Sequence, residues 1–307
     1  MKRKFIKLGL GRKIEDWLES ITDTRVRELA SKNVIVTGGC IVSMLLGEEP
    51  NDFDVYFRDK ETTQAVAEYY VALFLKNPPQ SFKDGKAVAI SVKATADRVK
   101  IVVKSSGIAG EEPAGEDYQY FEQIPGTEEQ ESFIESTFEA AKETVKADTE
   151  KPKYRPMFLT TNAITLSHKI QIVLRFFGTP EQIHSTYDFV HCTCYYDHNI
   201  RELVLPSAAL ESILAKDLFY MGQSKYPICA MVRLRKFLKR GWHINAGQML
   251  KIAWDISRLD LTRVDVLEDQ LVGVDTAYFH QLITALRQQD KSTVDAGYLC
   301  SVIDKLF

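Results

Sequence analysis

A chain of 307 residues, 45% hydrophobic and 26% charged, is long enough to bury a substantial core as one large domain or two of ordinary size. It has no run approaching the roughly 18 uninterrupted apolar residues of a membrane span, and Met1-Lys2-Arg3-Lys4-Phe5 lacks the long apolar region of a signal peptide, so a cytoplasmic protein without a membrane partner is expected. Five cysteines without regular pairing fit a reducing compartment, and a net charge of −3 excludes general attraction to nucleic acid, so any RNA or DNA contact needs a local basic patch.

From about Ile14 to Ala30, Trp17, Leu18, Ile21, Val26 and Leu29 recur at near-helical spacing, which predicts one or two leading helices. Asn33-Val34-Ile35-Val36 is a short β-branched run and reads as a strand. It ends at Thr37-Gly38-Gly39, where the lack of a Cβ lets the backbone turn sharply and approach a ligand closely. Ile41, Met44 and Leu45 then return at helical spacing. The glycine pair therefore feeds the start of a short helix whose free N–H groups suit a phosphate, and Gly47 and Pro50 end it. In Asn51-Asp52-Phe53-Asp54-Val55-Tyr56-Phe57, strand alternation sets Asp52 and Asp54 on one face and Phe53, Val55 and Phe57 on the other. Two adjacent carboxylates repel unless a cation lies between them, and a hard divalent ion is the natural partner. Strand, Gly-Gly, helix and Asp-x-Asp outline a site for a triphosphate and magnesium.

Thr62 to Leu75 places Val66, Tyr69, Tyr70, Leu73 and Phe74 on one face of a helix that ends before Pro78-Pro79, and Ala87–Val92 with Val99–Val103 alternate as a hairpin does. From Gly107 to Glu150, thirteen acidic residues stand against two lysines among scattered Gly and Pro, which reads as a solvated acidic insertion with one helix from Glu128 to Lys146. Strand patterns resume at Met157-Phe158-Leu159, Ala163–Leu166 and Ile170–Leu174, and Tyr187–Tyr196 reads as a further strand. Gln171 is the polar member of its strand. His191, Cys192, Cys194 and His198 match no common zinc spacing, and alternation keeps His191 off the cysteines' face, so buried thiols beside a satisfied histidine are expected. From Ser207 the pattern is helical. Ala208 to Leu218, Ile228 to Leu238 and Ala246 to Ile256 form three helices, with shorter ones from Val264, Thr276 and Val294. On the second, Arg233, Lys236 and Arg240 share one face, either to hold phosphates or as a solvated surface.

Gly38 to Asp54 resembles the head of the nucleotidyltransferase superfamily, the DNA polymerase β-like fold of poly(A) polymerases and tRNA CCA-adding enzymes: glycine pair, Leu45-Leu46-Gly47 and Asp52-x-Asp54 fall in register with it. Val42 and Ser43 stand where the CCA-adding head has an Arg-Asp pair, and no later Glu-Asp-x-x-Arg element is found, so the likeness is to the head and not to the nucleobase-reading machinery. The stretch from Tyr154 to Tyr196 is similar to phage-encoded nucleotidyltransferases. The resemblance implies an α/β (α+β) core with a mixed sheet over residues 1–204, an insertion at about 80–153, and an all-α domain over 205–307. It implies transfer of a nucleoside monophosphate from an NTP to an acceptor hydroxyl, an RNA 3′ end in first place, with Mg²⁺ or Mn²⁺ as cofactor. A protein acceptor, or a non-catalytic protein keeping the fold for docking, would use the same head. Asp52 and Asp54 are then catalytic metal ligands, and Gly38, Gly39, Ser43, Arg233 and Lys236 bind the NTP. The third carboxylate of such enzymes comes from a strand beside Asp-x-Asp. Asp188 is the candidate, as an acid set in an apolar and aromatic strand; capping of a turn is its alternative role.

Overall fold

Helix α1 (Arg3–Ser20) opens the chain in the computed structural model, well ahead of the expected start at Ile14. Ile6, Leu10, Ile14 and Trp17 recur every three or four positions and are fully buried, so one stripe of the helix faces the core. The described residues are 2–76, 88–105, 153–222, 224–263, 266, 267, 270, 297 and 300. The acidic stretch from Gly107 to Glu150 lies outside them, and so, but for those last positions, do the helices expected from Val264, Thr276 and Val294.

The chain divides into two units, Met1–Ile183 with Cys194–Leu205, and His184–Thr193 with Pro206–Phe307. In the first, α2 (Thr24–Asn33) is capped by Asp23, whose carboxylate accepts the Val26 N–H at 3.0 Å. Then come β1 (Val34–Thr37), α3 (Gly39–Leu46), β2 (Phe53–Phe57) and α4 (Lys60–Lys76). The Trp17 indole N–H donates to the Tyr70 hydroxyl of α4 at 2.8 Å, and its ring lies 6.4 Å from that of Phe57 on β2. Helices α1 and α4 thus cover the sheet face that Phe53 and Phe57 present.

Strands β3 (Val88–Ala94) and β4 (Val99–Ser105) form the expected antiparallel hairpin as a sheet of their own. The main sheet adds β5 (Pro156–Leu159), β6 (Ala163–Leu166) and β7 (Ile170–Val173), then, after the short helix α5 (Pro180–His184), β8 (Tyr195–Asp197) and β9 (Glu202–Val204). Its order is β5-β6-β7-β2-β1-β8-β9, a mixed sheet in which β1 pairs antiparallel with both neighbours and β2 pairs parallel with β7. A Cβ at Gly11 of α1 would come within 3.1 Å of the Tyr196 hydroxyl on β8, so a larger residue there would press on that side chain. The molecule is therefore mixed α/β.

The second unit contains α6 (Ser207–Ala215), α7 (Pro227–Lys239) and α8 (Ala246–Ile256). Helix α6 ends before Leu218, because Lys216 turns into the left-handed region at φ 53°. The strand expected over Tyr187–Tyr196 is corrected: only Tyr195–Asp197 is strand, and Val190–Thr193 is one 3-10 turn. Phe189 and His191 serve the helical unit instead. Phe189 makes a single bridge to Tyr220 and packs edge-on against Phe237, and the Val190 N–H donates to the Phe219 carbonyl.

His191 shows what this packing demands. Fully buried, its ring lies 4.5 Å from Phe237 and 4.4 Å from Trp242, and neither ring nitrogen has a hydrogen-bond partner. Burial first, then the nearby Arg240 charge, lowers its pKa from 6.5 to about 3, so the folded protein keeps it neutral. Between those values the unfolded chain binds more protons, so stability is lost as pH falls from 6.5 toward 3, by about 1.4 kcal/mol per unit. In His191→Phe, denaturant melts from pH 7 to pH 4 should show a flatter acid limb than wild type; an unchanged limb refutes this account.

Candidate functional site

Gly38 sets the direction of the chain between β1 and α3. Its φ of 90° and ψ of −151° fall where side chains are excluded, so the turn needs glycine. Gly39 differs: a Cβ there would meet nothing within 4 Å, and open space lies beside the first turn of α3. The N-cap residue, Gly38, has no side chain to cap the start of α3. The helix ends at Gly47 in the left-handed conformation, with the Glu48 N–H donating to the Ser43 carbonyl at 2.8 Å.

Pairing brings the acids to this turn. Thr37 stands opposite Asp54 across β1 and β2, and Asp54 stands beside Gln171 across β2 and β7. Asp52 and Asp54 are both half-buried. The fully buried Cys40 thiol, in the first turn of α3, is pushed well above the usual thiol range by burial, then by Asp54 and Asp52, so both carboxylates act at the start of that helix. Lys169 fixes the approach to Asp52: its ammonium donates to the Pro50 carbonyl at 3.1 Å and pairs with Glu49. His168 and Lys169 reach that position through two successive left-handed residues, φ 63° and 64°, a conformation that costs non-glycine residues energy and clusters at functional sites.

The first unit thus brings together Gly38, Gly39, Asp52 and Asp54. Ser43, expected at the triphosphate, is 7% exposed within α3. The strand beside β2 carries Gln171 where a third acid was expected, and Asp188 is not on a sheet strand. Asp188 lies in the second unit with Arg233 and Lys236, where its carboxylate pairs with the Arg233 guanidinium and accepts the Ser224 hydroxyl at 2.8 Å. Among the described residues no group of three or more His, Cys, Asp and Glu could hold a metal ion. Sequence reasoning missed Lys13 and Lys169, whose proximity to the site depends on tertiary register. A lysine in the tight link between two strand patterns was the one available signal.

Residues 9–216 match the model of the Gabija anti-defense 2 family protein. The chain belongs to this family. A protein of Bacillus phage SPbetaL7 described as "Gabija anti-defense 2" is 23% identical over 123 residues, which are 40% of this chain and 31% of that relative. The match thus spans about a third of the curated relative's length. Among solved structures, the CCA-adding enzyme of Thermotoga maritima complexed with tRNA overlaps at a TM-score of 0.38 and 11% identity, over 89% of this chain and 55% of that one. The Bacillus stearothermophilus CCA-adding enzyme in complex with CTP gives 0.38 and 10%, over 89% and 49%. Overlaps this loose are no basis for assigning a fold or an activity, and the ligands are those enzymes' own. No helix among the described residues is long and apolar enough to cross a membrane.

Two pairs of variants test the local account. Gly38→Ala should lose about 1–3 kcal/mol in denaturant melts, whereas Gly39→Ala should melt as wild type does, since its methyl group meets nothing. Equal losses at both would refute the requirement for glycine at position 38. Arg233→Met leaves Asp188, whose side chain is 4% exposed, without its cation and should cost about 3 kcal/mol; adding Asp188→Asn should restore part of it. A double variant no more stable than the single would refute the pairing account.

Proposed function

We propose that the chain is a metal-dependent nucleotidyltransferase that moves a nucleoside monophosphate from an NTP to an acceptor hydroxyl and releases pyrophosphate. An RNA 3′ end is the proposed acceptor, and the host cytoplasm the proposed setting. This transfer would carry the counter-defence for which the family is named. One observation supports the reading above others: the β1–β2 register sets the Gly38-Gly39 turn and the Asp52/Asp54 pair at the same end of the sheet.

In this reading Gly38 and Gly39 offer backbone N–H groups to the β- and γ-phosphates at the open start of α3. Asp52 and Asp54 would hold Mg²⁺ or Mn²⁺ together with phosphate oxygens of the NTP. Magnesium commonly takes only one or two protein carboxylates when a substrate phosphate completes its shell, so the donor set fits without a third acid. Bound there, the metal would neutralise charge on the transferring phosphoryl group and ease deprotonation of the attacking hydroxyl. Gln171, beside Asp54, has an amide that can orient a carboxylate or a phosphate. No covalent protein nucleophile is required. A docking protein that kept the fold would need neither carboxylate.

The test is to incubate the protein with each α-labelled NTP, Mg²⁺ and separated RNA and protein fractions of a host extract, and to follow the label. Label should enter RNA. Asp52→Ala and Asp54→Ala should each lose transfer to background while melting at or above the wild-type temperature, because removing one acid relieves repulsion. Full activity in either variant would refute the catalytic assignment.

A further inference from the structure

Five residues that the site above does not absorb gather on the first unit: Lys13 of α1, Lys153 and Arg155 ahead of β5, and His168 and Lys169 between β6 and β7. Lys13 lies in the middle. Its ammonium donates to the His168 carbonyl at 2.6 Å, sits 5.2 Å and 5.3 Å from the ring centroids of Tyr154 and Phe53, and feels the charges of both Lys169 and Lys153. Arg155 is clamped to the same turn by its backbone, its N–H donating to the Ser167 hydroxyl at 3.1 Å and its carbonyl accepting the Ser167 N–H at 2.9 Å. At the far end Lys169 holds the Pro50 carbonyl, two residues before Asp52. The cations therefore form a row whose Lys169 end reaches the loop ahead of Asp52.

Among the described residues, the carboxylates paired with this row are exposed. Lys153 pairs at 3.3 Å with Asp16, and Lys169 pairs with Glu49, and these carboxylates are 48% and 83% exposed. Exposed pairs contribute roughly 0–1 kcal/mol, so a phosphate can displace them. Like charges held around a half-buried ammonium disfavour it: burial lowers the Lys13 pKa from 10.5 to about 8, the Asp16 charge opposes this, and Lys169 and Lys153 add to it. A bound anion would relieve that cost.

We propose that the row Lys153–Lys13–Lys169, with Arg155, binds the phosphate backbone of a single-stranded nucleic acid whose 3′ end lies at Asp52 and Asp54. The acceptor role rests on the transfer reading; the binding does not. The cations come from three separate segments, so they suit successive phosphates of a strand better than one triphosphate.

Fluorescence anisotropy with a short labelled single-stranded RNA across a KCl series tests this. Lys153→Gln/Arg155→Gln removes two side chains without touching the core; adding Lys13→Gln removes the third. The triple variant should lower the log–log salt slope by roughly two units, about 0.7 per lost contact, and weaken binding roughly tenfold at low salt. The double variant should fall between it and wild type, and Asp54→Ala should bind at least as tightly as wild type. Wild-type affinity and slope in both lysine–arginine variants would overturn the row, even where transfer still depends on Asp54. If transfer instead proves independent of Asp54 while the variants lose RNA binding, the row stands and the transfer reading falls. Polyglutamate competing as well as unlabelled RNA would assign the row to an acidic protein and overturn the nucleic-acid ligand.

Discussion

The pairing of β1 with β2 is the constraint on which the first unit depends. All of Val34–Thr37 is buried between β2 and β8, and the Thr37 hydroxyl donates to the Cys194 carbonyl at 2.9 Å, so the strand is held from both sides. A slip of one residue would turn every side chain of β2 to the opposite face, burying the acids and exposing Phe53, Val55 and Phe57. The core and the site therefore share one register. What keeps the aromatics under α1 and α4 also keeps Asp52 and Asp54 on the other face. Gly38 turns the chain immediately after the last paired residue, so the helix start cannot move without moving the strand.

Legibility follows distance along the chain. Strand, Gly-Gly, helix and Asp-x-Asp are local signals, each set by a periodicity or a special residue within about twenty positions, and all four elements form in that order. The strand read over Tyr187–Tyr196 misled for a physical reason. Alternating aromatics with one acid read as a strand, but Phe189 and His191 pack among Phe237 and Trp242, and the acid's cation, Arg233, is 45 residues away. Nothing nearby in the chain announces that partner. The β8–β9 hairpin was hidden in the same way. Its turn is held by Asp197, which accepts the Asn199 N–H at 3.0 Å and pairs with Arg58 of a distant segment. Gln171 could be noticed as the polar residue of its strand, but only the parallel pairing with β2 sets it beside Asp54.

A net charge of −3 conceals how charge is arranged in the first unit. The acid pair lies at the end of β2, and Lys169 reaches the same end through Pro50, so opposite charges come near each other there rather than averaging over the surface. Screening at 0.1 M salt acts over about 10 Å, so the protein's average charge matters less to a bound phosphate than these neighbours. Lys13 records the local field directly. Burial and the neighbouring lysines lower its basicity against the pull of the Asp16 charge, while the Tyr154 and Phe53 rings and the His168 carbonyl hold its ammonium in place.

The presence of Gln171 beside Asp54 also bears on how a metal would be held in the proposed reaction. A third carboxylate would let the protein bind a divalent ion by itself, at the cost of packing three negative charges together in the ion's absence. With two carboxylates and a neutral amide, that repulsion is smaller, and the missing ligands must come from the nucleotide. Ion and NTP would then bind as one unit, each raising the affinity for the other. The open space beside Gly39, where a Cβ would meet nothing within 4 Å, suits this order. Strain at His168 and Lys169 is then the cost of holding the Asp52 approach ready before the ligand arrives, rather than forming it around the ligand.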